Sequence, residues 1–314
     1  MNERSEHNGH PRPNNGAVEV CLPPNSSAWY KLNLLRQLSR AELSGMVAFS
    51  ALTGNLLAVQ SWPFAALVST LSVLLLAGGC SALNQWQEQD LDARMERTCC
   101  RPLPAGELAP RSVLSFAGSS ILAGLLLLTL VPGKLALLLG LLAVIWYNGI
   151  YTPLKRHTPF AAVPGALCGA LPPLIGWAAG GGQPWEAKIL LLAGTLFLWQ
   201  IPHSWLLLCR YRDDLRQSGL PNLFEAIPTD RLLRINNCWL LALGLCYLQF
   251  PLFGYIANSL LASLFLATCT AIFLAVLTET RKPSRLASSL RLFHLTNFSM
   301  TLLLVVLQLD TLLG

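Results

Sequence analysis

Apolar runs of about 20 residues recur along this chain, and they limit its fold more than any other feature. One of them, STLSVLLLAGGCSAL, leads straight into the charged stretch NQWQEQDLDARMERTCCRP. About 20 apolar residues of helix cross a hydrocarbon core. Backbone groups in lipid must be satisfied internally, so an open sheet is excluded. Charged residues make up 12% of the 314 and hydrophobic residues 53%, whereas a soluble domain carries about 25% charge. The expected class is an all-α polytopic membrane protein.

Nine spans are predicted, over 41–60, 64–87, 112–131, 135–154, 160–180, 187–209, 235–254, 259–279 and 288–309. Residues 1–28 are polar and rich in Pro, Asn and Gly, which predicts a disordered tail; residues 29–314 form the membrane domain. That tail lacks the apolar core of a signal peptide. With the N-terminus taken as cytoplasmic, the tail and the loops after spans 2, 4, 6 and 8 carry nearly all the cations. The opposite side keeps only Lys134 and Lys188. Cytoplasmic loops are the basic ones, so the asymmetry supports the nine-span count and places the charged stretch on the cytoplasmic face; the expected location is the inner (plasma) membrane. The net charge of +6 is then a topology signal, not a nucleic-acid footprint.

If the second helix runs past Ala82, then Asn84, Glu88 and Asp92 stack at i, i+4 and i+8 on one face, and Asp90 points elsewhere. Three oxygen-bearing side chains in a column suit Mg²⁺, which takes a few carboxylates and leaves its other positions to water and phosphate. Solvated loop charge explains the spacing equally well. The loop after span 6 tips the balance. There LCRYRDDLRQSGLPNL sets Asp213 and Asp214 among Arg210, Arg212 and Arg216. Two acid clusters with arginines on one side suit a metal-held diphosphate whose free oxygens go to guanidinium groups. An allylic chain leaving such a diphosphate would sit in the apolar bundle, away from water.

These residues resemble the UbiA-type intramembrane prenyltransferases, in particular their haem-modifying branch of protohaem IX farnesyltransferases (haem O synthases). NxxxExxxD followed by ARMERTCCRPLPAG is similar to that branch's NxxxDxDxDxxMxRTxxRPL. YTPLKRHTPFAAVPGALCGALPPLIGW, LWQIPHSWLLLCRYRDDLRQSGLPNL and RLFHLTN continue the likeness in order, over residues 30–305. The resemblance implies farnesyl transfer from farnesyl diphosphate to a vinyl group of protohaem IX, with Mg²⁺ as cofactor. It implies a lipid-embedded protein, with haem A synthase or oxidase-assembly factors as partners. Asn84, Glu88, Asp92 and Asp214 match catalytic and metal positions. Arg94, Arg97, Arg101, Lys155, Arg156, His203, Arg212 and Asp213 match diphosphate or haem contacts. Glu88 stands where the branch usually has Asp, Leu215 where it has Tyr, and Ser204 where it has Phe. A second DxxxD is missing, since Ser218 lies four residues beyond Asp214.

Other residues have plainer roles. Tyr147 and Tyr151 suit the headgroup level or the flank of a cation. Gly165, Gly169, Pro172, Pro173 and Gly176 suit close packing and a kink. Two other readings stand beside the leading one. One is a related enzyme with a quinone or chlorophyll precursor as acceptor. The other is a transporter or non-catalytic oxidase assembly factor, which would need charge or broken helices near the midplane. No CxxC spacing suggests zinc. A structural disulfide between Cys99 and Cys100 is disfavoured on the reducing cytoplasmic side.

Overall fold

Every long apolar run is helical in the computed structural model, which describes residues 28–58, 63–280 and 285–313, with no strand among the described residues. α1 (Ala28–Leu38) precedes α2 (Ala41–Leu57) and α3 (Pro63–Gln87). After α4 (Gln89–Asp92) come α5 (Pro110–Leu128) and α6 (Leu135–Val144). A π-helical stretch, Ile145–Tyr151, joins α6 to α7 (Thr152–Leu154). α8 (Ala162–Gly165), α9 (Leu167–Ala179), α10 (Ala187–Arg210), α11 (Arg212–Ser218) and α12 (Leu223–Ala226) follow. α13 (Thr229–Leu252), α14 (Ser259–Thr280) and α15 (Arg285–Leu313) complete the bundle.

Eight stretches among the described residues are long and apolar enough to span a membrane, the shortest having 18 residues. α2 has 17, and it occupies the place of the first predicted span. The expected tail, 1–28, falls outside the described residues except for Ala28. α1 was not foreseen as a helix. It buries Leu34 and Leu38 and exposes Trp29, Leu32 and Leu35, a distribution suited to the headgroup boundary, where Trp is at home.

Small residues decide how the helices cross. With lipid on the outside, helix association depends on close packing. α2 and α9 approach so closely that a Cβ on Gly54 would overlap the Pro173 carbonyl, and one on Gly176 would overlap the Ala51 carbonyl. Asn55 Nδ2 donates across this crossing to Gly176 O at 3.1 Å. α9 carries Pro172 and Pro173 and still continues to Ala179. α3 packs along α5, and α10 along α13 and α15. The larger core lies among α9, α10, α13, α14 and α15, where Trp177, Phe250 and Phe265 are fully buried.

Candidate active site

An apolar cavity of about 160 Å³ opens among α2, α3, the α6–π segment, α9 and α10. Ser44, Val73, Ser81, Tyr147, Ile175 and Gln200 are among its walls. Ser81 lies one helical turn before Asn84, so one end of the cavity reaches the acidic stretch. Tyr147 O accepts from Thr152 Oγ1 at 2.9 Å, and that hydroxyl accepts from Asn84 Nδ2 at 3.1 Å.

The acid column is not one continuous helix, as the spacing had suggested. α3 ends at Gln87, and Glu88 adopts φ −113°, ψ 16° before α4 begins. Backbone bonds still bridge the break, from Glu88 N to Asn84 O at 3.0 Å and from Asp92 N to Glu88 O at 2.8 Å. Asn84, Glu88 and Asp92 are all buried, and Asn84 Nδ2 donates to Glu88 Oε2 at 2.8 Å. Buried carboxylates need a cation or donors, and each has one. Lys155 Nζ stands 2.7 Å from Glu88 Oε1, and Arg101 Nη1 stands 2.6 Å from Asp92 Oδ2. Burial holds the Lys155 amine below its usual range, with Glu88 opposing the shift. Burial also lowers Arg101, with Arg40 adding to the effect and Asp92 opposing it.

Asp90 points away, as expected, and pairs with Arg156 at the rim: Arg156 Nη2 lies 2.8 Å from Asp90 Oδ1 and 2.7 Å from Gln87 O. The Arg156 hydrogen bond holds the Asp90 carboxyl below the usual range. Arg97 lies over the Tyr211 ring at 4.9 Å, joining the stretch after α4 to the end of α10, and Arg210 approaches the same ring at 5.6 Å. Arg212 lies over Phe224 at 4.8 Å. Arg94 is exposed. Asp213 and Asp214 belong to α11, but their side chains lie outside the described residues. His203 is packed between Trp199 and Phe293, with Nδ1 2.7 Å from Asn297 Oδ1. It does not line the cavity.

Sequence reasoning missed Arg40, counting it only as a topological charge. It is the one non-glycine residue with positive φ, 46°, among the described residues. Its Nη2 donates to Asn84 Oδ1 at 3.2 Å, while its buried Nε has no partner. Backbone strain of this kind gathers at functional sites. An arginine at the start of an apolar run, on the side of the acids, was the available signal. The π-helical stretch was also missed. Such wide turns cluster at functional sites, and this one carries Tyr147, Asn148 and Tyr151. A Cβ on Gly165 would overlap the Tyr151 ring, and Lys155 Nζ lies 5.0 Å from that ring's centre.

The donors fit a hard cation. One amide oxygen and two carboxylates, all buried, match the preference of Mg²⁺ for few protein oxygens. No group of three His, Cys, Asp or Glu converges among the described residues, so Asn84 and substrate oxygens would have to complete such a site.

The model of the UbiA prenyltransferase family matches residues 47–298. The protohaem IX farnesyltransferase of Nitratidesulfovibrio vulgaris (strain DP4) is 36% identical over 275 residues, 88% of this chain and 94% of that protein. The protohaem IX farnesyltransferase of Geobacter sulfurreducens is 43% identical over 225 residues, 70% of this chain and 81% of the relative. Solved structures share the fold at low identity. A UbiA homologue from Aeropyrum pernix K1 gives a TM-score of 0.70 at 17% identity, covering 87% of this chain and 98% of that one. A UbiA homologue from Archaeoglobus fulgidus, bound to GPP and Mg²⁺, gives 0.61 at 14%, covering 87% and 99%. With the acid cluster, the apolar cavity beside it and the family match over most of its length, the chain belongs to the UbiA prenyltransferase family.

Proposed function

We propose that this enzyme transfers farnesyl from farnesyl diphosphate to a vinyl group of protohaem IX, giving haem O. The observation that carries the chemistry is the pairing of buried Glu88 and Asp92 with Lys155 and Arg101 at the end of an apolar cavity. The acceptor rests on the relatives named as protohaem IX farnesyltransferases, which match over most of their length.

Asn84, Glu88 and Asp92 would hold Mg²⁺, with Asp214 as a further ligand. Such a cation, when bound, supplies positive charge to the diphosphate oxygens and makes the group leave more readily. Lys155, Arg101 and Arg40 then turn from the carboxylates and Asn84 toward the diphosphate. Arg156, Arg97 and Arg94 stand at the rim for diphosphate oxygens or haem propionates, with Arg212 and Asp213 on the neighbouring short helix. As the farnesyl C1–O bond breaks, the cavity walls keep water from the allylic cation, and the Tyr147 and Tyr151 rings offer it π-faces. The haem vinyl group attacks farnesyl C1, water adds to the vinyl carbon left electron-deficient, and the proton that water sheds goes to the released diphosphate. His203 keeps Nε2 for the haem, through iron or a propionate.

In this reading α2 is also a span, making nine, since its 17 residues lie at the short end of the range of about 17–25 that crosses a bilayer. The acid end of the bundle faces the cytoplasm from the inner (plasma) membrane, and haem A synthase or oxidase-assembly factors receive the product.

The test supplies the purified protein, in lipid, with farnesyl diphosphate, protohaem and Mg²⁺, and chromatographs the extracted haems. Haem O from the parent and none from Glu88→Gln supports the reading. Prenylation of an aromatic quinone precursor with haem untouched would overturn it.

A further inference from the structure

Cys99 and Cys100 lie in the turn that grips Asp92. Their sulfurs are 3.7 Å apart; Cys100 is exposed and Cys99 half-buried. The residues on either side both hold Asp92. Thr98 Oγ1 donates to Asp92 O at 2.9 Å, and Arg101 Nη1 donates to Asp92 Oδ2 at 2.6 Å. Arg101 N in turn bonds Thr98 O at 3.0 Å, and Cys99 N bonds Met95 O at 2.9 Å. Two adjacent thiols therefore form the link between the two anchors of a buried site carboxylate.

We propose that Cys99 and Cys100 form a redox modification site, at which a hydroperoxide links the two sulfurs and loosens the hold of Thr98 and Arg101 on Asp92. Cys100, the exposed member, attacks first. Its sulfur takes one peroxide oxygen as the O–O bond breaks, and the other oxygen leaves with the thiol proton as water or an alcohol. Cys99 Sγ then attacks the resulting sulfenic acid. The S–O bond breaks, the S–S bond forms, and hydroxide leaves with the Cys99 proton as water. The two thiols give up two electrons, and the hydroperoxide accepts them. Cys99 is placed for the second step, because its sulfur already lies 3.7 Å from that of Cys100.

The geometry makes this modification consequential and reversible. A disulfide brings the sulfurs to about 2.05 Å and normally spans Cα atoms at least about 4.4 Å apart, whereas neighbouring Cα atoms are about 3.8 Å apart. The eight-membered ring is strained, and strained disulfides are the labile, regulatory ones. In a reducing compartment such bonds are transient and redox-sensing. Closing the ring twists the peptide between Cys99 and Cys100, so Thr98 and Arg101 cannot both keep their present distances to Asp92.

The inference rests on Asp92 serving the working site, so the experiment separates the two. The full chain in lipid is treated with hydrogen peroxide and digested, and peptides over 99–100 are weighed. Farnesyl diphosphate binding with Mg²⁺ and haem prenylation are measured before treatment, after it and after dithiothreitol. Parent protein is expected to lose two hydrogens across Cys99 and Cys100, to bind diphosphate at least about tenfold more weakly, and to recover with dithiothreitol. Cys99→Ser and Cys100→Ser, each with ordinary activity before treatment, keep more than half of it afterwards. Equal loss in the serine variants, no disulfide, or a disulfide with unchanged diphosphate binding would overturn the proposal. Absent haem prenylation with diphosphate binding still redox-sensitive counts against the acceptor alone.

Discussion

Lys155 Nζ lies 2.7 Å from Glu88 Oε1, tying the residue after α7 to the break between α3 and α4, 67 positions earlier. Removing the acid therefore has two effects, one on the metal seat and one on the amine. Glu88→Gln is expected to lower turnover by at least roughly 100-fold, given that even outer partners of a metal site cost 10–100-fold. Glu88→Asp, which keeps the charge one methylene shorter, should stay within about tenfold of the parent. Steady-state haem prenylation across a Mg²⁺ titration checks both. Glu88→Gln with parental turnover would remove Glu88 from the site.

Chelation should separate activity from folding. Lys155 and Arg101 pair directly with Glu88 and Asp92, so neither buried carboxylate depends on a metal ion alone for neutralisation. EDTA is expected to abolish turnover, restored by Mg²⁺, while the thermal midpoint moves by no more than a degree or two, as about ΔΔG/ΔS for a near-zero ΔΔG. A large drop in midpoint would mean that the cation is part of the fold.

Arg101→Met should destabilise, because it leaves the Asp92 carboxylate, 3% exposed, without its cation. Breaking a buried pair costs about 3–5 kcal/mol. Adding Asp92→Leu should recover most of that stability and none of the activity. Thermal unfolding in detergent, run beside the haem assay, reads both quantities.

Arg40 combines strain with function, which predicts opposite responses in one variant. Arg40→Gly relieves a left-handed φ of 46°, a conformation that costs an L-residue about 1–2 kcal/mol. It also removes a guanidinium from Asn84. The expected outcome is an unchanged or higher thermal midpoint with a raised KM for farnesyl diphosphate. A KM equal to the parent's would make Arg40 structural only.

The Asp90–Arg156 pair predicts a pH window. The Asp90 carboxyl is held below its ordinary value, so the pair's contribution is complete above the unfolded value of about 3.9. It is lost as pH falls through the lowered value. Both side chains are well exposed, so the contribution is small. The stability difference between parent and Asp90→Asn should be constant from about pH 5 to 8 and vanish only in stronger acid. A difference that changes near pH 6 would assign the effect to another group.

What could be read in the sequence was whatever has a period or a fixed spacing. The apolar runs located the long helices because lipid tolerates little else. The four-residue spacing of Asn84 and Glu88 placed them in direct contact. Contacts between distant segments were not legible: no local pattern links Arg101 to Asp92 or Lys155 to Glu88, so these cations were assigned to substrate without their present partners. The break at Glu88 was hidden because backbone bonds continue through it. Arg40 escaped notice because its importance lies in its backbone conformation, and the π-helical stretch because it leaves no mark on hydropathy. α1 was left as an unassigned lead-in to the first span, since 11 residues are too few to cross a bilayer.

The crossing of α2 and α9 has a consequence for which molecules can be accommodated. Where Gly54 meets Pro173 and Gly176 meets Ala51, main chain rests on main chain, and no rotamer change can widen that side of the chamber. Any extra breadth in a bound molecule has to be taken up by side chains of the cavity walls, such as Tyr147 and Gln200, and not by parting these two helices. Tolerance to mutation should divide in the same way, with the glycine positions of the crossing rejecting added bulk and the wall side chains adapting to a guest.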